Sequence, residues 1–283
     1  MTTDTLRAVP TPTHARPEIK VRRMDLDFPD EMPEFWFDEN PFLTALLSAM
    51  SVSFPAGERY FIASVRHFLP QIEDPTLRAE IRAFTGQEAN HTKEHLAFNE
   101  MLERRGYPAK AMEAWVERRT KRLQKVSSPE ANLARTAALE HFTAILAGAF
   151  IENPEVLATM SPEAATMWCW HAIEEIEHRA VAFDVYKQVV DDEALRLRTM
   201  RHVTVVFILV NLVRTAMLLR TSGHLTNVRA IAKGLDVLWA RPGLLRRLLP
   251  QYLAYYRADF HPSQHDNSAQ VEAAKARFLG ALA

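Results

Sequence analysis

The sequence contains one cysteine, Cys169, so no disulfide can form within the chain. Set between Trp168 and Trp170, Cys169 reads as a buried small hydrophobe. Glycine is scarce, with eight residues, and no long segment alternates apolar and polar residues as a strand would. Neither charge sign dominates: the formal net charge is −1, which argues against nucleic-acid binding. Met1–Lys20 holds no continuous apolar stretch, so no secretory signal is expected and the chain reads as cytoplasmic. These shortages leave an all-α protein of ordinary hydrophobic content, 48%.

What is present is an unusual concentration of ligand-type side chains. In WHAIEEIEHRAVAFD (Trp170–Asp184), His171, Glu175 and His178 fall within about 60° of one another on a helix. Ile173, Val181 and Phe183 argue that this helix is packed. Upstream, QEANHTKEH places Glu88, His91 and His95 on one stripe in the same way. Both stretches contain Glu-x-x-His. One such pair means little in a chain with 11 His and 35 acidic residues. The order of the other carboxylates is more specific. A lone Glu58, then Glu88/His91, a lone Glu140, and Glu175/His178 follow the sequence that a dinuclear site in a four-helix bundle needs. Four carboxylates balance two divalent cations; buried without metal they would be strongly destabilising.

The chain divides into an N-terminal tail and docking arm (1–40), a ligand-bearing bundle (41–192) and a helical extension packed on it (193–283). Met1–Pro17 is rich in Thr and Pro and reads as disordered. Glu18–Asn40 reads as an extended arm docked through Phe28, Phe35, Trp36 and Phe37. Asn40-Pro41, Asp74-Pro75, Ser128-Pro129 and Ser161-Pro162 are helix starts. The expected ligand-bearing helices are about 55–69, 75–105, 129–151 and 162–190, with a basic helix over 108–124. Glu58, early in its helix, would also complement a helix dipole. His141 points about 100° away from Glu140 and is read as a surface or supporting residue. Val203–Leu219 is largely apolar but interrupted by Asn211 and Arg214, which favours a helix covering the bundle over a membrane span. A membrane-surface or tunnel-lining role is the competing reading, and Arg196, Arg198, Arg201 and Arg220 flank it suitably. Shorter helices are expected over 227–238, 244–249 and 251–260, and an amphipathic one over 268–283.

Imidazole and carboxylate without thiolate suit iron, manganese or zinc. The stretch from about Glu18 to Asp192, with GERYF, QEANHTKEH and WHAIEEIEHRAVAFD, resembles the bacterial family labelled predicted metal-dependent hydrolases. The layout also resembles that of ferritin-like di-iron oxygenases such as the para-aminobenzoate N-oxygenase, whose last ligand helix carries His-x-x-x-Glu-x-x-His. That resemblance implies Glu58, Glu88, His91, Glu140, His171, Glu175 and His178 as ligands and catalytic centre, with His171 as the seventh. His95 has no counterpart there and would be a supporting residue, an alternative ligand or a proton donor. Gln87, Glu174 or Asp184 would hold the free ring nitrogens of the ligands. The expected function is therefore a ferritin-like, di-iron oxygenase or oxidase using O₂ on a small, largely apolar substrate, with an external electron donor. The alternative is a metal-dependent hydrolase in which a dinuclear site activates water. A metal-storage bundle ranks last. A homodimer is compatible with either enzyme.

Overall fold

The computed structural model describes residues 17–280. Apart from Pro17, the tail expected to be disordered lies outside the described residues, as do 281–283. Twelve α-helices follow one another among the described residues: α1 (Pro41–Ser51), α2 (Phe54–Phe68), α3 (Pro75–Arg104), α4 (Ala109–Val126), α5 (Pro129–Ile151), α6 (Pro154–Leu157), α7 (Pro162–His178), α8 (Val181–Val189), α9 (Glu193–Thr221), α10 (Val228–Leu235), α11 (Leu244–Ala254) and α12 (Ser268–Phe278). The protein is all-α; a single antiparallel bridge, Phe37 to Met160, is the one extended pairing among the described residues.

The helix starts follow from local chemistry. Asn40 Oδ1 accepts the amides of Phe42 and Leu43, Asp74 Oδ1 that of Thr76, and Ser128 Oγ that of Ala131. In each case proline takes the first helical turn, where its missing N–H costs nothing. Two boundaries differ from expectation: the short helices expected over 244–249 and 251–260 are one, α11, which carries Pro250 inside it, and the last ligand-bearing helix is broken. The helix expected over 162–190 is interrupted at Arg179–Ala180, so His178 closes α7 and Asp184 sits on the separate α8. No Pro or Gly marks the interruption.

α2, α3, α5 and the α7–α8 pair pack around a shared interior, with α2 against α3 and α5, and α5 against α7 and α8. α9 lies on α1 and α5, α11 on α5, and α12 on α7. The N-terminal arm is extended, and Phe28, Met32, Trp36 and Phe37 are buried beneath it. Phe35 is half-buried, edge-on to His224. Glu94 of α3 accepts the backbone amides of Asp25 and Leu26 at 3.1 and 2.9 Å. The arm crosses α3 at Gly86, where a Cβ would lie 2.9 Å from Val21 Cγ2.

α9 is long and apolar enough to cross a membrane by length and composition, with 33% of its apolar window buried. Asn211 and Arg214 are on its buried side; Asn211 Nδ2 donates to the Phe207 carbonyl and Arg214 to Ser53 Oγ. Val205, Ile208, Leu209, Leu212, Val213 and Met217 are exposed. Arg196 does not flank an interface: it is buried, bonded to Glu193 and the Arg257 carbonyl, and packed over the Tyr255 ring. Its stem and planar head are satisfied inside the protein, so it is unavailable to lipid.

Candidate metal centre

The interior between α2, α3, α5 and α7 is polar where a helical protein would ordinarily place Leu and Val. Glu58, Glu88, His91, Glu140, His171, Glu175 and His178 are all buried there, none more than 5% exposed. Their helices set the geometry. The three- and four-residue spacings on α3 and α7 keep each stripe on one face, while α2 and α5 each bring one carboxylate.

Glu175 spans the group. Its Oε1 lies 3.0 Å from His171 Nε2 and 3.6 Å from His91 Nδ1, and its Oε2 lies 3.6 Å from His178 Nε2. His178 Nε2 is also 3.2 Å from Glu88 Oε1 and 3.4 Å from Glu140 Oε2. The potential ligand atoms form four overlapping sets: Glu58, His95 and His171; His91, His171 and Glu175; Glu58, Glu88 and His91; Glu88, Glu175 and His178. Within each set all donor atoms lie within 4.8 Å of one another. Glu58, Glu88 and Glu175 each belong to two sets, which is the placement of carboxylates shared between two ions.

The hydrogen-bond inventory fits metal ions. Glu58 Oε1, both oxygens of Glu88 and Glu140, Glu175 Oε2, both nitrogens of His91 and His178 Nε2 are buried without a hydrogen-bond partner. Such a concentration of orphaned acceptors is costly unless cations satisfy it. The electrostatics agree. Burial, then neighbouring Glu88, pushes the Glu58 and Glu140 carboxyls up, Glu140 to about 8. Burial also raises Glu88, partly offset by His178. Glu175 moves the other way: burial opposes its charge, but His178 and His171 outweigh it and hold it well below the usual range. Burial and His171 press His91 well down, whereas Glu175, Glu140 and Glu88 raise His178 well up against the cost of its burial.

A surrounding layer orients these groups. His178 Nδ1 donates to Gln87 Oε1 at 2.8 Å, leaving Nε2 for the centre. Gln87 Nε2 in turn donates to Glu177 Oε2 at 2.8 Å. His91 Nε2 lies 3.2 Å from Glu174 Oε2, though out of line for a hydrogen bond. Gln87 therefore holds a ring nitrogen as the sequence suggested, while Glu174 stands beside one without a hydrogen bond to it. Asp184 is turned elsewhere. Its Oδ1 is 2.9 Å from His261 Nε2, because the break after His178 carries it onto α8, facing the C-terminal segment. His95 has both ring nitrogens engaged, Nε2 with His171 Nδ1 at 2.9 Å and Nδ1 with Ser51 Oγ at 2.9 Å, and it also shares a potential ligand set with Glu58 and His171. His141 is not a surface residue: it is buried against Tyr255 and Phe260, with Nε2 3.1 Å from the Gln251 carbonyl, away from the cluster.

Three supporting residues had no local signal. Thr92 Oγ1 donates to Glu58 Oε2 at 2.8 Å. Glu177 and Arg22 form a buried pair behind Gln87, and Arg22 also reaches Glu174 at 3.2 Å. The acid-rich EEIEH run before His178 was the one available hint to Glu177. Cys169 is buried, and burial pushes its thiol up to about 12, as suits a packing residue.

Comparison with known families matches residues 20–266 to one described as predicted metal-dependent hydrolase. The chain belongs to that family. No match is found among curated proteins or solved structures. The match extends through α11, well past the ligand-bearing helices, so the predicted metal-dependent hydrolases share more than the cluster. Family membership and the buried His/Glu cluster together make this a metal-dependent enzyme.

Proposed function

We propose that the cluster holds two metal ions within a ferritin-like bundle of α2, α3, α5 and α7–α8, and that the metals are iron used to oxidise a small, largely apolar substrate with O₂. The observation that carries this is the donor set: four carboxylates and three imidazoles, with no thiolate, enclosed in the protein. When bound, two iron ions would supply one electron each toward reduction of O₂. The chain's own residues bind and aim. Glu58, Glu88 and Glu175 are each shared between neighbouring ligand sets, and Glu140 faces His178. Gln87 fixes His178 and His95 fixes His171 in the tautomers that present Nε2. Phe54 stacks on His171, and Trp170 meets His91 edge-on, which keeps water from the cluster. An external electron donor would re-reduce the site.

Hydrolysis is the second reading, and the family description favours it over oxidation. In that reading zinc or manganese at the same residues would activate water. The physical objection is charge: four carboxylates weaken the Lewis acidity that a hydrolase uses. We also place the exposed apolar side of α9 at a membrane surface, supported by its uncovered Leu and Val residues and by exposed Arg198, Arg201 and Arg220.

Anaerobic reduction of iron-loaded protein followed by mixing with O₂ separates the readings. Oxidation of two ferrous ions per O₂, lost in His178→Ala, is expected. No reaction with O₂, together with zinc- or manganese-dependent ester cleavage, would establish the hydrolase.

A further inference from the structure

Beside the cluster, α2, α4, α5 and α9 enclose a chamber of 170 Å³ walled by Phe54, Phe61, Leu139, Val206, Phe207 and Val210. Phe54 joins it to the metal centre, stacking on His171 at 4.9 Å and meeting His95 edge-on at 4.7 Å. Gly57, next to Glu58, is also in its wall. Glycine inside a helix costs about 0.5–1 kcal/mol relative to alanine. Yet a Cβ at Gly57 would meet no atom within 4 Å. No neighbour requires glycine there; the room it leaves is part of the chamber.

Of the three arginines at the chamber wall, Arg214 is the buried one. Arg214 is 5% exposed, and its guanidinium lies 5.1 Å from the centre of the Trp115 ring. Nη1 donates to Ser53 Oγ, while Nη2 has no hydrogen-bond partner. No carboxylate lines the chamber; the other charged residues in its wall are Arg119 and Arg135. Burial and Arg119 push Arg214 down to about 10, so it remains charged at neutral pH. A buried guanidinium without an anion is destabilising, and an apolar cavity with one convergent charge is the usual form of a site for an amphiphilic ligand.

We propose that the chamber binds an apolar monocarboxylic acid, its carboxylate paired with Arg214 and its body lying along α2 toward Phe54 and the metal centre. A guanidinium pairs with a carboxylate through two parallel hydrogen bonds, which suits a single buried arginine. The chamber is close in size to the engineered cavity of about 150 Å³ that holds benzene, so the enclosed body is about one ring or a short alkyl run. A second cavity of 500 Å³ between α4 and α9 shares Trp115, Val210 and Arg214 and gives the acid a way in. That this acid is the substrate rests on the function proposed above; that it binds does not.

Calorimetric titration of the full chain, metal-free and metal-loaded, with octanoate, octanamide and octanol provides the test. Octanoate is expected to saturate one site and to bind about tenfold or more tighter than either neutral analogue, the contribution of a charge-assisted pair. Arg214→Gln should remove that preference while leaving octanol binding unchanged, and Arg214→Lys should restore part of it. Val206→Trp, which fills the chamber, should abolish binding of all three with helical content retained. Equal binding of octanoate and octanol by the unaltered protein would overturn the proposal, whether or not the variants fold. So would a folded Arg214→Gln that keeps its preference for octanoate. If octanoate binds as expected but is not oxidised by the iron-loaded protein with O₂ and a reductant, the site stands and the assigned reaction fails.

Discussion

The guanidinium of Arg22 grips the carboxylate of Glu177 through two hydrogen bonds, Nη1 to Oε2 at 2.9 Å and Nη2 to Oε1 at 2.8 Å. Both residues are buried, and 155 positions separate them in the chain. Glu177 Oε2 also accepts from Gln87, which holds His178. The N-terminal arm therefore reaches a candidate ligand through three hydrogen-bonded steps. Arg22→Ala leaves Glu177 and Glu174 buried beside a missing cation. The expected cost is about 3–5 kcal/mol of stability, with metal retention weakened about 10–100-fold. Denaturant unfolding and chelator competition measure the two separately. Unchanged metal retention would show that the arm does not support the centre.

Glu140→Ala should lose metal, whereas His141→Ala should keep it and lose stability instead. Glu140 points at His178, while His141 packs on Tyr255 and Phe260. Metal analysis of both purified variants, with helicity checked, distinguishes them. Equal metal loss would reject the assignment of Glu140.

Stability of the metal-free protein should fall as pH rises between 6.5 and about 8. Glu140 and Glu174 are each raised to about 8, chiefly by burial, so the folded state holds protons that the unfolded state releases near the ordinary carboxylate value. Their contribution is fully present below that value and is lost as pH passes through about 8. His178, raised by its carboxylate neighbours, acts in the same direction. Glu175, held low, and His91 and His95, pressed well down by burial, contribute the opposite dependence, which ends at the ordinary histidine value of 6.5. Metal displaces these protons, so the loaded protein should keep its melting temperature across the same window. Parallel melting curves at about pH 6.5 and pH 8 check this; a metal-free protein that melts higher at pH 8 would contradict it.

The exposed side of α9 should attach the protein to anionic vesicles. Leu209→Glu with Val213→Glu should release it, because both side chains are more than half exposed. Flotation assays read this directly, and alkaline washing should strip the unaltered protein. Retention through alkali would instead indicate a helix that spans the bilayer.

Much of the helical layout was legible because its signals are local. Asn40, Asp74 and Ser128 each accept the amides that their position before a proline-led helix suggests. Ser161 makes no such bond, yet Pro162 still opens α7. The convergence of Glu58 and Glu140 on the two Glu-x-x-His stretches could be anticipated from their order along the chain. The supporting layer could not. Arg22 meets Glu177 across most of the fold, and no periodicity encodes such a pairing. The break at Arg179–Ala180 carries no Pro or Gly, so Asp184 read as a continuation of the ligand stripe when it faces His261. The burial of Arg196 was equally hidden, since its apolar partners Tyr255 and Phe260 lie in a later segment.

The central claim is a dinuclear centre, and metal stoichiometry tests it most directly. Protein purified without added metal, then reconstituted anaerobically with ferrous iron and desalted, should retain about two ions per chain. Glu175→Ala, which removes the carboxylate lying between both halves, should retain less than one while keeping its helical content. A single ion per chain in the unaltered protein, or two ions retained by Glu175→Ala, would contradict the account.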